Sequence, residues 1–324
     1  MASAVRAYDA ATPGAIGIAA LDLTSGRVYV HNGDAVFPTA SSIKIPIMVE
    51  LFRAARRGEV RMSDQITLTA ADAVGGSGML TGRLKQGPQT LTLLELITAM
   101  IEHSDNTATN QCIAVAKMDR VNRLLREQGF QTIRLRRIMM DTAAARRGEE
   151  NVASPVEMAR LAEMLYRGRL ANAEDTAQMI GILKLVKAEM RAAIPADIPV
   201  AAKPGGLTGV QCETGIVYLP EIAGEPVASP MCLACLGPIW MTAPRRCAPS
   251  RRSSSSIFRS WPSRTNTGTA WGVNGLPGSG RRGARQMRES STIRVWQSWT
   301  MSRLGRPWKL QPAGYRAVTV RRLP

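Results

Sequence analysis

The chain has 324 residues, 45% of them hydrophobic, enough for a sizeable core in one large domain or two. Its formal charge of +17 has the sign of a nucleic-acid binder, yet residues 231–324 hold 17 of the 42 basic residues and one acid, Glu289. That distribution excludes a basic face spread over the whole molecule, because the first 230 residues are close to neutral.

The N-terminus lacks the apolar core of a signal peptide, and no run approaches the roughly 18 apolar residues that span a bilayer. Residues 15–23 read as a strand, Thr24-Ser25-Gly26 as a turn, and residues 27–31 as the hairpin partner. An apolar run (Ile47, Met48, Val49, Leu51, Phe52) predicts a helix from Ser41 to about Arg57, stopped by Gly58. Lys44 lies three residues after Ser41, on the same helix face. Residues 59–90 look loop-rich, with Gly75-Gly76-Ser77-Gly78 the least constrained part. Thr92 and Glu95 have capping-box spacing and open an amphipathic helix that ends near His103-Ser104-Asp105-Asn106. Further helices are predicted over about 107–116 and 119–128, the second stopped by Gly129. Ser154, Pro155 and Glu157 begin another with an N-cap, a proline at N1 and an acid at N3, and one more covers about 173–188. Strands return at about 200–205 and 214–219.

Strands first, helices next and strands last predict an α/β (α+β) fold. An antiparallel sheet comes from both ends of the chain, about 10–35 and 198–225, is flanked by helices, and carries an inserted all-helical lobe, about 60–195. Residues 1–225 would form this domain. Of the five cysteines, Cys232 and Cys235 have metal-like spacing but no second ligand pair, so neither a disulfide framework nor a metal or cofactor is expected.

Three motifs follow in order: Ser41-x-x-Lys44, Ser104-Asp105-Asn106 and Lys203-Pro204-Gly205. A hydroxyl becomes a useful nucleophile when a base takes its proton, and a lysine serves if burial or nearby positive charge lowers its pKa. Taken alone, each motif has a plainer reading: a helix start, an N-cap, a strand lysine. In this order and context the chain resembles the penicillin-recognising serine hydrolases, the class A β-lactamases and related penicillin-binding enzymes, over roughly residues 5–220. The resemblance implies that Ser41 is acylated by a lactam or ester carbonyl, with Lys44 accepting or relaying its proton. Ser104 would join the proton network, Asn106 would bind the substrate's amide side chain, and Lys203 would face its carboxylate. Gly205 would line the site, and the N–H groups of Ser41 and Gly206 would hold the oxyanion. The implied partner is a small β-lactam or ester, acted on by a cytoplasmic monomer away from membranes. His31 and His103 are read as bystanders, and Ile138, Met139 and Met140 as core packing.

Three departures stand out. Aligning Arg134-Leu135 with the start of the family's loop puts Met139 where class A β-lactamases carry the glutamate that activates the deacylating water. Asp141, two residues on, is the tentative catalytic substitute, while Glu150 is expected to pair with Arg137. Such a loop favours a slow β-lactamase, an esterase or D-alanyl-D-alanine peptidase, or a protein acylated without turnover. Pro204 replaces a Thr or Ser and requires an edge strand. Lastly, residues 226–324 are rich in Arg, Ser, Pro and Trp. They read as a disordered basic tail, a nucleic-acid-binding arm, or the product of a reading-frame change near residues 221–235. The abrupt composition shift favours the frame change, which would leave the sheet short of a strand and makes nucleic-acid binding a remote alternative.

Overall fold

The computed structural model describes residues 2–11, 14–219, 230–237, 299–300 and 311–312. The Ser253–Ser256 run and the arginine pairs lie outside the described residues, as does most of the 226–324 tail; of the frame-change window, residues 230–235 are described. The chain divides into two units, Met1–Arg191 with Ala196–Thr269, and Ala192–Pro195 with Ala270–Pro324. In the second, the described strands are Trp299–Thr300 and Gln311–Pro312, paired antiparallel.

The first unit opens with a helix that sequence pattern did not foretell, α1 (Ala2–Ala11), whose Asp9 carboxylate meets His31 Nε2 at 2.9 Å and accepts from the Ile16 amide at 3.2 Å. His31 is thus a structural partner, away from the motif residues. The expected hairpin follows as β1 (Gly17–Asp22) and β2 (Val28–His31), then β3 (Phe37–Pro38) and a 3₁₀ turn over Ala40–Ile43. The next helix, α2 (Lys44–Arg56), buries residues on every side, including Ile45, Ile47, Met48, Leu51 and Phe52, so it runs through the core. It stops before Gly58, whose φ of 73° suits a residue without Cβ.

Residues 59–92 are more ordered than their composition suggests. β4 (Gln65–Leu68) and β5 (Gln89–Thr92) pair antiparallel, with the short α3 (Leu80–Leu84) between them. The capping box forms at α4 (Leu93–Glu102): Glu95 N–H donates to Thr92 Oγ1 at 3.2 Å and Thr92 N–H to Glu95 Oε2 at 2.7 Å. Then come α5 (Asn106–Ala116), α6 (Met118–Glu127), α7 (Thr142–Arg146) and β6 (Val152–Ala153). Ser154 caps α8 (Pro155–Tyr166) as predicted, but the Glu157 carboxylate turns outward and accepts from the amides of Gln131, Thr132 and Ile133. α9 (Ala173–Lys184) ends four residues before its expected end.

β7 (Val200–Leu207), β8 (Val210–Tyr218) and β9 (Pro230–Gly237) complete a five-stranded antiparallel sheet in the order β2-β1-β9-β8-β7. Both chain ends build it, as expected. The domain boundary at 225 needs correction, because β9 lies past it between β1 and β8 and the sheet does not lack that strand. Composition hid it: the basic region counted from residue 231 takes in the strand, although the first basic residue after Lys203 is Arg245. β7 is an edge, which is where Pro204 can sit without an internal ladder bond to lose.

One side chain ties the lobe to the α4–α5 turn. Asp105, 1% exposed, caps α5 through the Ala108 amide at 2.9 Å and accepts from Met79 and Leu80 N–H at 2.7 and 2.8 Å. A Cβ on Gly78 would collide with that carboxylate. Replacing Asp105 by Ala orphans three buried donors around one carboxylate, so Asp105→Ala is expected to lose about 3 kcal/mol in denaturant unfolding. A loss under about 0.5 kcal/mol would show that water replaces the carboxylate freely.

Candidate active site

The turn carrying Ser41 is held under backbone strain. Ala40 has φ 42°, unusual for a residue with Cβ, and Thr39 is anchored through its N–H and hydroxyl to Asn151 O at 2.9 and 3.1 Å. Ser41 therefore lies on a 3₁₀ turn just before α2, half-buried, with Lys44 at the helix start. In a 3₁₀ turn residues i and i+3 eclipse, which stacks the two side chains on one face.

Lys44 is completely buried. Its Nζ donates to Ser104 O at 2.8 Å, Ser104 Oγ at 3.1 Å and Asn106 Oδ1 at 3.2 Å. Burial, reinforced by the positive charge of Lys203, pushes its pKa well below the usual lysine range, against a smaller pull from Asp105. As the amine loses its proton, the Ser104 hydroxyl can turn and donate to it. Ser104 has φ 53°, and this left-handed turn places both its carbonyl and its hydroxyl on Lys44.

Asn106, 7% exposed, donates through Nδ2 to Gly75 O at 3.0 Å and through its backbone to Ser77 O at 3.0 Å. The Gly75–Gly78 stretch is thus pinned against the second motif, contrary to its reading as the least constrained part. Lys203, 1% exposed, donates to Pro204 O at 3.0 Å. Burial lowers its pKa to about 8, with the acidic neighbours Cys212, Glu213 and Glu189 opposing. Gly205 passes so close to the Ser41 amide that a Cβ would stand 2.5 Å from that nitrogen, while a Cβ on Gly206 would meet only Val210 O at 4.0 Å. The fold brings Ser41, Lys44, Ser104, Asn106, Lys203, Gly205 and Gly206 into one connected neighbourhood.

The loop after α6 is closed by the Arg137–Glu150 pair, at 3.0 and 2.9 Å, and by Asn151 Oδ1, which accepts from the Arg136 and Arg137 amides. Met139 is 8% exposed and clamped by Asn110, which accepts from Met139 N–H at 2.8 Å and donates to Met139 O at 3.2 Å. Of the three side chains read as core packing only Met139 is buried; Ile138 and Met140 are 41% and 50% exposed. Asp141 is occupied as the N-cap of α7, accepting from Ala144 N–H at 2.9 Å, and Glu149 pairs with Arg147. Sequence reasoning missed Asn110, Asn151, Ser42 and Cys212. Only Asn110 carried a signal, four residues after Asn106 and so on the same face of α5.

A strained serine turn, a buried lysine one turn on and a second lysine on the facing sheet edge define a serine hydrolase of the β-lactamase type. The model of the beta-lactamase enzyme family matches residues 1–228, and the chain belongs to that family. It is 27% identical over 220 residues to beta-lactamase CARB-3 of Pseudomonas aeruginosa, covering 66% of this chain and 75% of that one. Among solved structures, a beta-lactamase from Sphaerobacter thermophilus is 32% identical with TM-score 0.63, covering 72% of this chain and 86% of that one. A mutant of PBP-A, solved as an acyl-enzyme complex with penicillin G, shares the fold at TM-score 0.64 and 24% identity, covering 72% and 85%. Among the described residues no helix is long and apolar enough to cross a membrane.

The depressed pKa of Lys203 has a stability signature. Between pH 8 and 10.5 an unfolded lysine holds a proton that folded Lys203 has released, so its contribution to stability rises with pH in that window. Lys203→Met should abolish this component: the gain in urea midpoint of the wild type over the variant between pH 7.5 and 10.5 should be positive. A gain of zero would mean that Lys203 titrates as it does in the unfolded chain.

Proposed function

We propose that the protein opens β-lactam rings through an acyl-enzyme on Ser41 and releases the product slowly. The observation that carries this reading is the buried Lys44, one turn from Ser41, with its Nζ on the Ser104 hydroxyl. Ser41 Oγ attacks the lactam carbonyl while its proton passes to neutral Lys44. The negative charge that develops on the carbonyl oxygen is taken up by the amides of Ser41 and Gly206. Each such donor lowers the barrier by roughly 3–4 kcal/mol. The C–N bond then breaks, and the proton travels from Lys44 through Ser104 to the leaving nitrogen. Asn106 orients the substrate's amide side chain, and protonated Lys203 faces its carboxylate.

Deacylation requires water to be deprotonated, and the thioether of Met139 cannot do it. Asp141 is the nearest alternative in sequence, but its carboxylate is engaged in capping α7. General-base assistance is worth roughly 10²–10⁴-fold, so the acyl-enzyme persists. The same observation, together with Pro204 in place of a hydroxyl residue, favours a second reading: an esterase or D-alanyl-D-alanine peptidase on this scaffold.

Intact mass after exposure to benzylpenicillin tests the assignment. The wild type is expected to gain one penicilloyl mass that decays slowly, and Ser41→Ala to gain none. In Met139→Glu, a carboxylate carried on the backbone that Asn110 clamps should clear the adduct roughly 10²–10⁴-fold faster. No adduct on the wild type, or an equal adduct on Ser41→Ala, would refute the assignment. An adduct cleared as fast by the wild type as by Met139→Glu would refute slow deacylation.

A further inference from the structure

Beneath the two amides assigned to the oxyanion lies a buried thiol that the mechanism above does not use. Cys212, 1% exposed on β8, faces Gly205 across the β7–β8 pair. Its Sγ stands 2.7 Å from Thr39 O, 3.3 Å from Gly205 O and 3.3 Å from Ser42 Oγ. Ser42, fully buried, donates its hydroxyl hydrogen to Lys203 O at 2.9 Å. The thiol lies within donating distance of both carbonyls, the nearer being Thr39 O, which also accepts from Ser42 N–H at 2.9 Å. The carbonyls reached on one side belong to the serine turn and on the other to β7.

We infer that Cys212, with Ser42, is a positioning brace that sets the spacing between the amides of Ser41 and Gly206. The two amides come from segments more than 160 residues apart in sequence, and the Ser42 hydroxyl donates from one of them to Lys203 O on the other. The turn between them is strained at Ala40 and lacks a side-chain cap at Thr39, whose own anchor is Asn151 O rather than β7. Gly205 lets the strand approach to the point where a Cβ would touch Ser41 N, Cys212 Sγ and Thr39 O together, at 2.5, 2.7 and 2.9 Å. Shape brings the segments together, and the thiol and hydroxyl fix how far apart they stop. Neither group needs to touch substrate. A misplacement of about 1 Å in such a site can cost roughly 10²-fold in rate, so a partial relaxation should cost less.

The brace rests on the Ser41 acylation proposed above, so its test has two readouts. In stopped acylation by benzylpenicillin followed by intact mass, Cys212→Ser keeps a donor to Thr39 O and should acylate within about threefold of wild type. Cys212→Val, close in volume but without a donor, should lose about tenfold in the acylation rate constant with the penicillin dissociation constant changed less than twofold. Hydrogen exchange of the Ser42 amide, which requires no activity, should quicken in Cys212→Val and stay at the wild-type rate in Cys212→Ser. Wild-type acylation in Cys212→Val, or equal Ser42 exchange in all three proteins, overturns the inference. If the wild type itself is never acylated, the proposed function fails, while the exchange rates alone decide whether the brace exists.

Discussion

The structure depends on keeping an amine without water around it. Lys44 has no exposed surface, and a buried ammonium is costly unless it is fully hydrogen-bonded. Three acceptors meet it, two from Ser104 and one from Asn106, but Lys203 adds a like charge nearby. Burial and that like charge together pull its pKa well below the usual lysine value. Ser104 can accept from or donate to that amine only because its backbone is held at positive φ, and Asp105 holds it there by binding α3 and α5 at once. The second motif is therefore a mechanical part as much as a chemical one: its aspartate fixes the turn that its serine and asparagine work from. Its plain reading as an N-cap holds, since Asp105 caps α5.

Local signals were legible in the sequence. Thr92 with Glu95, and Ser154 with Pro155, mark helix starts because capping chemistry is settled within four residues. The sheet-edge position of Pro204 follows from what proline cannot donate, and the Arg137–Glu150 pair from opposite charges across a loop neck. What could not be read is non-local. β4 and β5 are short and polar, and they become strands only through each other. β9 lies just before the basic region that begins at Arg245, and its register against β1 and β8 identifies it. Gly75–Gly78 looks free in sequence because the atoms that pin it belong to Asn106 and Asp105. Cys212 gave no signal, since its partners are backbone carbonyls at residues 39 and 205.

Under the proposed function, the residues for acylation are gathered in one neighbourhood, whereas residue 139, where the deacylating base would stand, is a methionine. Asn110 still grips residue 139 by both backbone groups, so the loop is held in place with a thioether in it. The acids nearby are spent on structure: Glu150 on Arg137, Glu149 on Arg147, Asp141 on a helix cap. On the proposed mechanism acylation would rest on Lys44, and deacylation on a position that carries no base.

The central claim, a neutral Lys44 as the base for Ser41, is tested most directly by ¹³C NMR titration of the lysine Cε resonances, with Lys44 assigned by its disappearance in Lys44→Arg. The account predicts that Lys44 titrates well below the ordinary lysine value of 10.5. A Lys44 resonance titrating at or above that value would contradict it, because the amine would then hold its proton and could not take one from Ser41.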